Sequence, residues 1–140
     1  VKVLVAGSRA WADRDVIYRV LSSLGPGTEI IHGGNGYYRI VDGQRRAVRG
    51  ADALAGDVAR QLGFVVHEHP AEWDRYGRSA GPKRNGLMLL THHIFRDPIN
   101  HAYLFHGDIG ASKGTADMLS RLKKAEIGYT LITGREADGA

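Results

Sequence analysis

Apolar positions along this chain keep two rhythms that take turns. Five short, largely apolar runs stand out: Val1 to Ala6, Ile30 to His32, Phe64 to Val66, Ala102 to Phe105 and Tyr129 to Ile132. They are continuous rather than alternating, which predicts strands covered by helices on both faces. Between them apolar residues recur at helical spacing. Val16, Val20, Leu21 and Leu24 follow Asp13, a candidate N-cap, and stop at Gly25-Pro26-Gly27. From Ala51 a second stripe runs through Leu54, Ala55, Val58, Ala59 and Leu62 to a stop at Gly63. A third holds Ala116, Leu119, Leu122 and Ile127, ending at Gly128, and Pro82 to His93 reads as a further helix with Pro82 in its first turn.

Strand and helix thus alternate, with connections long enough for right-handed parallel crossovers. The expectation is one α/β domain over residues 1–140: a Rossmann-like, doubly wound parallel sheet of about five strands with helices on both faces. Residues 35–48 interrupt the pattern where a loop of roughly 2 to 6 residues is usual. Tyr37 to Val41, Asp42-Gly43 and Gln44 to Val48 read either as a β-hairpin inserted into the domain or as a disordered surface loop.

Composition narrows the picture further. The chain is 43% hydrophobic and 24% charged, a globular balance at a length of 140 residues. It has no cysteine, which excludes disulfides, thiolate metal sites and thiol nucleophiles. No apolar run approaches the roughly 20 residues that span a bilayer, and no signal-peptide pattern is present, so a cytoplasmic protein without membrane contact is expected. A net charge of +4 favours an anionic partner but is too small to imply nucleic acid by itself.

In open parallel sheets ligands sit at the carboxyl ends of the strands, where the strand order reverses. The sequence places glycine-rich loops there: Gly7-Ser8-Arg9, His32-Gly33-Gly34, and the stretch from Gly107 to Thr115 containing Lys113 and Gly114. Glycine lets backbone approach a ligand, and helix N-termini offer free N–H groups to a phosphate. Two familiar nucleotide motifs are absent. Lys113-Gly114-Thr115 transposes the lysine and glycine of a Walker loop, and no G-x-G-x-x-G follows the first strand.

The motifs resemble those of the SLOG superfamily, in particular its YspA-like (cpYpsA-related) branch. They are Val5-Ala6-Gly7-Ser8-Arg9 with Trp11, Ile31-His32-Gly33-Gly34, Arg49-Gly50-Ala51-Asp52, Ala71-Glu72-Trp73, Ser79-Ala80-Gly81-Pro82-Lys83-Arg84-Asn85 and Gly114-Thr115-Ala116-Asp117-Met118, in family order. The resemblance implies a Rossmann-like fold related to the LOG and DprA proteins, with a nucleotide-like ligand at the strand ends. LOG enzymes cleave the N-glycosidic bond of nucleoside 5′-monophosphates with a Gly-Thr-x-x-Glu motif and an arginine from another helix. Arg84 resembles that arginine, while the glutamate position falls on Met118, with Asp117 one residue earlier. Methionine cannot stabilise an oxocarbenium-like state or activate water, and Asp117 is turned about 100° around a helix from that position.

The candidate ligand- and phosphate-binding residues are Gly7, Ser8, Arg9, Gly33, Gly34, Arg49, Gly50, Asp52, Arg78, Arg84, Asn85, Lys113, Gly114 and Thr115. Arg84 and Asp117 are the catalytic candidates should the protein be an enzyme, with Asp52 as an alternative acid. Trp73 either stacks on a base or anchors its loop. His67, His69, His92 and His93 invite a metal reading, but no complete ligand set at a standard spacing is evident, so neither metal nor cofactor is expected. The leading expectation is a protein that senses or sequesters a nucleotide or nucleotide-derived phosphate compound. One alternative is a nucleoside-monophosphate hydrolase. Another is a nucleic-acid-associated module using Arg39, Arg45, Arg46 and Arg49 with Tyr37 and Tyr38 as stacking surfaces. By analogy of fold a homodimer or higher homo-oligomer is expected.

Overall fold

A computed structural model describes residues 1–108 and 112–134. Five parallel strands, β1 (Lys2–Gly7), β2 (Glu29–His32), β5 (Val65–Glu68), β6 (His101–Phe105) and β7 (Tyr129–Ile132), form one sheet in the order β5-β2-β1-β6-β7. Two strands lie apart from it, β3 (Tyr37–Val41) and β4 (Gln44–Arg49), paired antiparallel. The helices are α1 (Arg14–Ser22), α2 (Ala51–Gln61), a short α3 (Trp73–Tyr76), α4 (Ala80–His92) and α5 (Lys113–Lys124). The expected Rossmann-like parallel sheet is what the chain forms.

Successive residues of a strand face opposite sides, and here both sides are apolar. Val3, Val5 and Ile30 meet Ile17 and Leu21 of α1 and Leu54, Ala55, Val58 and Ala59 of α2 in one core. Leu4, Ile31, Ala102 and Leu104 meet Met88 of α4 and Met118 and Leu122 of α5 in the other. Helices therefore cover both faces, which is why the strand runs in the sequence are unbroken. Trp11 is fully buried in the first core, edge-on to Phe105 at 5.5 Å, and its indole N–H donates to the Asp13 carbonyl at 2.9 Å. That Trp anchors the turn after β1 from within.

Local signals explain most boundaries. Asp13 caps α1 by accepting from the Val16 amide at 3.1 Å, and Ser112 accepts from Thr115 at the start of α5. Gly63, at φ 80°, follows α2 as a left-handed stop. The insertion is a hairpin rather than a disordered loop: Asp42 and Gly43 both take positive φ, 51° and 77°, as a two-residue type I′ turn requires.

Some boundaries differ from the sequence reading. α4 begins at Ala80, two residues before Pro82, because Trp73–Tyr76 and a 3₁₀ turn at Gly77–Ser79 feed the chain directly into it. α5 stops at Lys124 instead of continuing to Gly128; Glu126 turns left-handed at φ 57°, and Ile127 packs into the core from outside the helix. The third strand of the sheet lies over Val65–Glu68, one residue later than Phe64 and two beyond Val66, so His67 and Glu68 belong to it.

Candidate functional site

The chain builds β1, β2 and β5 outward on one side and then returns to lay β6 and β7 on the other, so the order reverses between β1 and β6. A cavity of about 450 Å³ opens at that reversal. Gly7, Ser8 and Arg9 after β1, Gly33 and Asn35 after β2, and His106 beyond β6 contribute to its walls. Asp52 from α2, Arg84, Asn85 and Met88 from α4, and Gly114, Thr115 and Met118 from α5 complete them, with Trp73 at one side. Convergence of polar groups in a concave site at a switch point is the usual setting of a ligand pocket in this architecture.

Two glycines are required by close approach. A Cβ on Gly7 would lie 2.2 Å from the Phe105 carbonyl oxygen, so β1 and β6 can converge only with glycine there. The Ser8 amide then donates to that same carbonyl at 2.9 Å, and the Ser8 carbonyl accepts from the Ala51 amide at 2.9 Å, stitching the β1 loop to the start of α2. A Cβ on Gly33 would lie 2.2 Å from Arg84 Nη1. The guanidinium occupies the space a side chain would fill.

Arg84 is buried. Its Nη1 donates to the carbonyls of Gly33 and of His69, the latter at 3.1 Å, and its Nε donates to Asn85 Oδ1 at 3.0 Å. Nη2 makes no hydrogen bond among the described residues, and Arg84 is one of the residues that line the cavity. Burial lowers the Arg84 pKa, while Asp52 opposes that shift. Asn85 Nδ2 in turn donates to the Gly114 carbonyl at 3.2 Å and to Asp117 Oδ2 at 3.0 Å, joining α4 to the first turn of α5.

Asp52 is 4% exposed, in the first turn of α2. Its Oδ2 accepts from the Asn35 amide at 3.2 Å, its Oδ1 is buried, and the Gly33 amide also faces the carboxyl group. Burial pushes its pKa up from 3.8 to about 6, with Arg84 and the amides of Asn35 and Gly33 acting against the rise. The structure thus places a carboxyl that titrates near neutrality beside a fixed arginine in one cavity.

Of the residues singled out in the sequence, Gly7, Ser8, Arg9, Gly33, Asp52, Arg84, Asn85, Gly114 and Thr115 come together in this lining. Six lie outside it. Gly34 turns left-handed at φ 75° and donates its amide to His32 Nδ1. Gly50, at φ 109°, abuts Gly36 at the neck of the hairpin, where a Cβ would come within 2.6 Å of the Gly36 Cα. Arg49 stacks over Tyr37 at 4.4 Å, and Arg78 is exposed in the 3₁₀ turn. Lys113 is exposed at the first residue of α5. Asp117 is engaged by Asn85 and by Arg121 Nε at 2.8 Å. Ile109, Gly110 and Ala111 of the β6 loop lie outside the described residues.

Sequence reasoning missed Asn35, Met88 and His106 as lining residues. Asn35 had one available signal, since it directly follows the His-Gly-Gly loop. Trp73 lines the cavity at 44% exposure, with the Arg9 guanidinium 5.6 Å from its ring centre, so it is a wall as well as a loop anchor. His67, His69 and His92 do meet on the sheet edge. There His69 Nε2 lies 2.7 Å from His92 Nε2, and His67 Nε2 lies 2.9 Å from Glu29 Oε1. No cluster of three or more His, Asp or Glu among the described residues is arranged to hold a metal ion. No helix among them is long and apolar enough to cross a membrane.

No family model matches the chain. It is similar to the Gene 61 protein of Mycobacterium phage D29, with 36% identity over 135 residues, covering 90% of this chain and 91% of that protein. Similarity of that degree over nearly both whole lengths makes this chain a member of the same family as the phage D29 Gene 61 protein.

Proposed function

We propose that the protein binds a nucleotide or nucleotide-derived phosphate compound in the cavity at the β1–β6 reversal, acting as a sensor or a store. The observation that carries this reading is the convergence there of two close-packed glycine loops, the start of α5 and the braced Arg84. Loop amides and a helix start favour a phosphate, and a guanidinium in the lining adds a charge-assisted donor. The apolar faces of Trp73, Met88 and Met118 in the same lining suit a base. The motifs that resemble the SLOG superfamily fall at this site, which supports the same reading.

The test is a thermal-shift screen of purified protein against nucleoside mono-, di- and triphosphates, ADP-ribose and sugar phosphates. A ligand at one hundred times its Kd adds about 2.7 kcal/mol, roughly 8 °C for a chain of this size. Failure of every phosphate compound to stabilise the fold at millimolar concentration overturns the proposal.

A second reading, hydrolysis of a nucleoside monophosphate, is favoured by one observation: Asp52, with a pKa of about 6, shares the cavity with Arg84. In that reaction Asp52 takes a proton from water as the water attacks the anomeric carbon, and the base departs with the electron pair of the glycosidic bond. Asp117 is held by Asn85 and Arg121 outside the lining, so Asp52 takes the role for which Asp117 was a candidate. Release of free base from a bound monophosphate separates this reading from simple binding.

A further inference from the structure

The outer face of α4 is apolar where contact with water would select polar residues. Leu87 is 52% exposed, Leu90 77% and Ile94, just beyond the helix end, 49%, at the i, i+3, i+7 spacing that keeps them on one side. Phe95 follows at 95%. Together they present about 500 Å² of mostly apolar surface, an area at which exposed patches are often functional. The patch is also braced. The Asp97 amide donates to the Ile94 carbonyl at 3.0 Å across a tight turn, and Lys2 Nζ holds that turn through the Asp97 carboxylate at 2.8 Å and carbonyl at 3.1 Å. Phe95 therefore stands out from a fastened turn, and a group already in place loses little freedom on docking.

We infer that this face is where two copies of the chain pair, α4 against α4 in antiparallel sense about a two-fold axis. Such an axis sets one surface against itself, so the patch must complement itself. A crossing midway between Leu87 and Leu90 lays each Leu87 on the partner's Leu90 and brings Lys83 opposite the partner's Ile94–Asp97 turn. The charges agree with that sense. Lys83 is an exposed cation at the N-terminal end of the face, whereas the far end carries the negative pole of the helix and the Asp97 carboxylate. Arg96 on the same turn is exposed beside the patch, and arginine is enriched in interfaces. The area suffices as well: two such patches bury about 1,000 Å², which a specific interface needs, before any polar rim is counted. Arg84, Asn85 and Met88 leave α4 on its other side, toward the cavity and the core, so the pairing face is distinct from the cavity lining.

Analytical ultracentrifugation of the full chain at about 50 μM tests this, because pairing follows mass action. The expected mass is twice the 15.3 kDa of one chain. Phe95→Glu and Leu90→Glu, made separately, should each weaken pairing about a hundredfold or more and give a monomer at that concentration. Both side chains are exposed, so circular dichroism of each variant should match the wild type, and either variant alone carries the test if the other misfolds. The chain has no cysteine, so a mixture of Leu87→Cys and Leu90→Cys proteins reads the geometry directly. Oxidation should join the two, whereas Tyr18→Cys, exposed on α1 across the sheet, should not cross-link. A wild-type monomer at that concentration would overturn the inference and leave the face to a different protein. A dimer that survives both charge substitutions, or one that cross-links through Tyr18→Cys and not through α4, would put the contact elsewhere and overturn it too. A mass above two chains would rule out closed two-fold pairing.

Discussion

Protonation of Asp52 should be measurable in the stability of the whole fold. Burial raises its pKa from 3.8 to about 6, with Arg84 opposing the rise and Glu68 adding to it. Below pH 3 both the folded and the unfolded chain carry this proton, and the carboxyl's contribution is at its most favourable. As pH rises through 6 that contribution is lost, because the unfolded chain releases its proton readily while the fold must ionise a buried group. The displacement from 3.8 to about 6 corresponds to about 3 kcal/mol. Three histidines, His32, His69 and His92, run the opposite way. Burial holds His32 and His92 down to about 4 from 6.5, so their contribution is complete above pH 6.5 and is lost as pH falls through 4. The wild-type profile mixes these effects; subtracting that of Asp52→Asn cancels the histidines and isolates the carboxyl. Urea denaturation followed by tryptophan fluorescence supplies both profiles. Wild-type stability minus variant stability should rise by about 3 kcal/mol between pH 7 and pH 3. A difference flat to within about 1 kcal/mol across that range would refute the burial argument.

The same cavity yields further expectations. Arg84→Met removes two charge-assisted bonds to carbonyls, each worth about 1.5–3 kcal/mol, and should abolish phosphate-induced stabilisation; a persisting thermal shift would show that the guanidinium does not reach the ligand. Asp117→Asn should cost no more than about 1 kcal/mol in urea and leave ligand affinity within about threefold by calorimetry, since its partners are Asn85 and Arg121. Gly7→Ala should destabilise the fold by at least about 1–3 kcal/mol, because backbone rather than a movable side chain blocks the new Cβ, and urea denaturation will show it. For the nucleic-acid alternative, Arg39→Ala with Arg46→Ala should flatten the salt dependence of single-strand binding by about two charges; an unchanged slope in fluorescence titrations would dismiss the hairpin as the contact.

What the sequence made legible follows from how local each cause is. The sheet was readable because both faces of β1, β2 and β6 are covered, and coverage imprints itself on consecutive residues such as Val3, Leu4 and Val5. The α1 cap and the α2 stop were readable because Asp13 and Gly63 act within a few residues of themselves. The left-handed turn of Glu126 was not, since a non-glycine stop carries no compositional mark. Glycines were legible as loops but not as partners. That Gly33 faces the Arg84 guanidinium and Gly7 faces Phe105 joins residues 51 and 98 positions apart, which only the fold brings together. The different settings of Asp117 and Asp52 have the same origin. Both sit near helix starts in the sequence, and only packing shows that one is engaged by Asn85 and Arg121 while the other is buried in the cavity wall.

The hairpin shows how a charge pattern can be turned inward. Arg45 makes both of its guanidinium bonds, at 3.3 and 2.7 Å, to Glu68, and lies 4.2 Å from the Tyr38 ring centre. Tyr38 donates its hydroxyl to the Gly34 carbonyl at 3.1 Å, and the Ala47 amide donates to Asp57 on α2 at 2.7 Å. Two of the aromatic and basic groups that suggested an arm for nucleic acid are thus occupied in fastening the hairpin to β5 and to the loop after β2. Tyr38 grips Gly34, the next residue is Asn35 whose amide holds Asp52, and the preceding one is Gly33, which packs on Arg84. The insertion therefore acts on the cavity through its second glycine loop. Deleting residues 35–48 would remove the Asp52 support together with the arginines, so loss of function in that deletion could not be assigned to either, whereas substitutions at Arg39 and Arg46 leave that support in place.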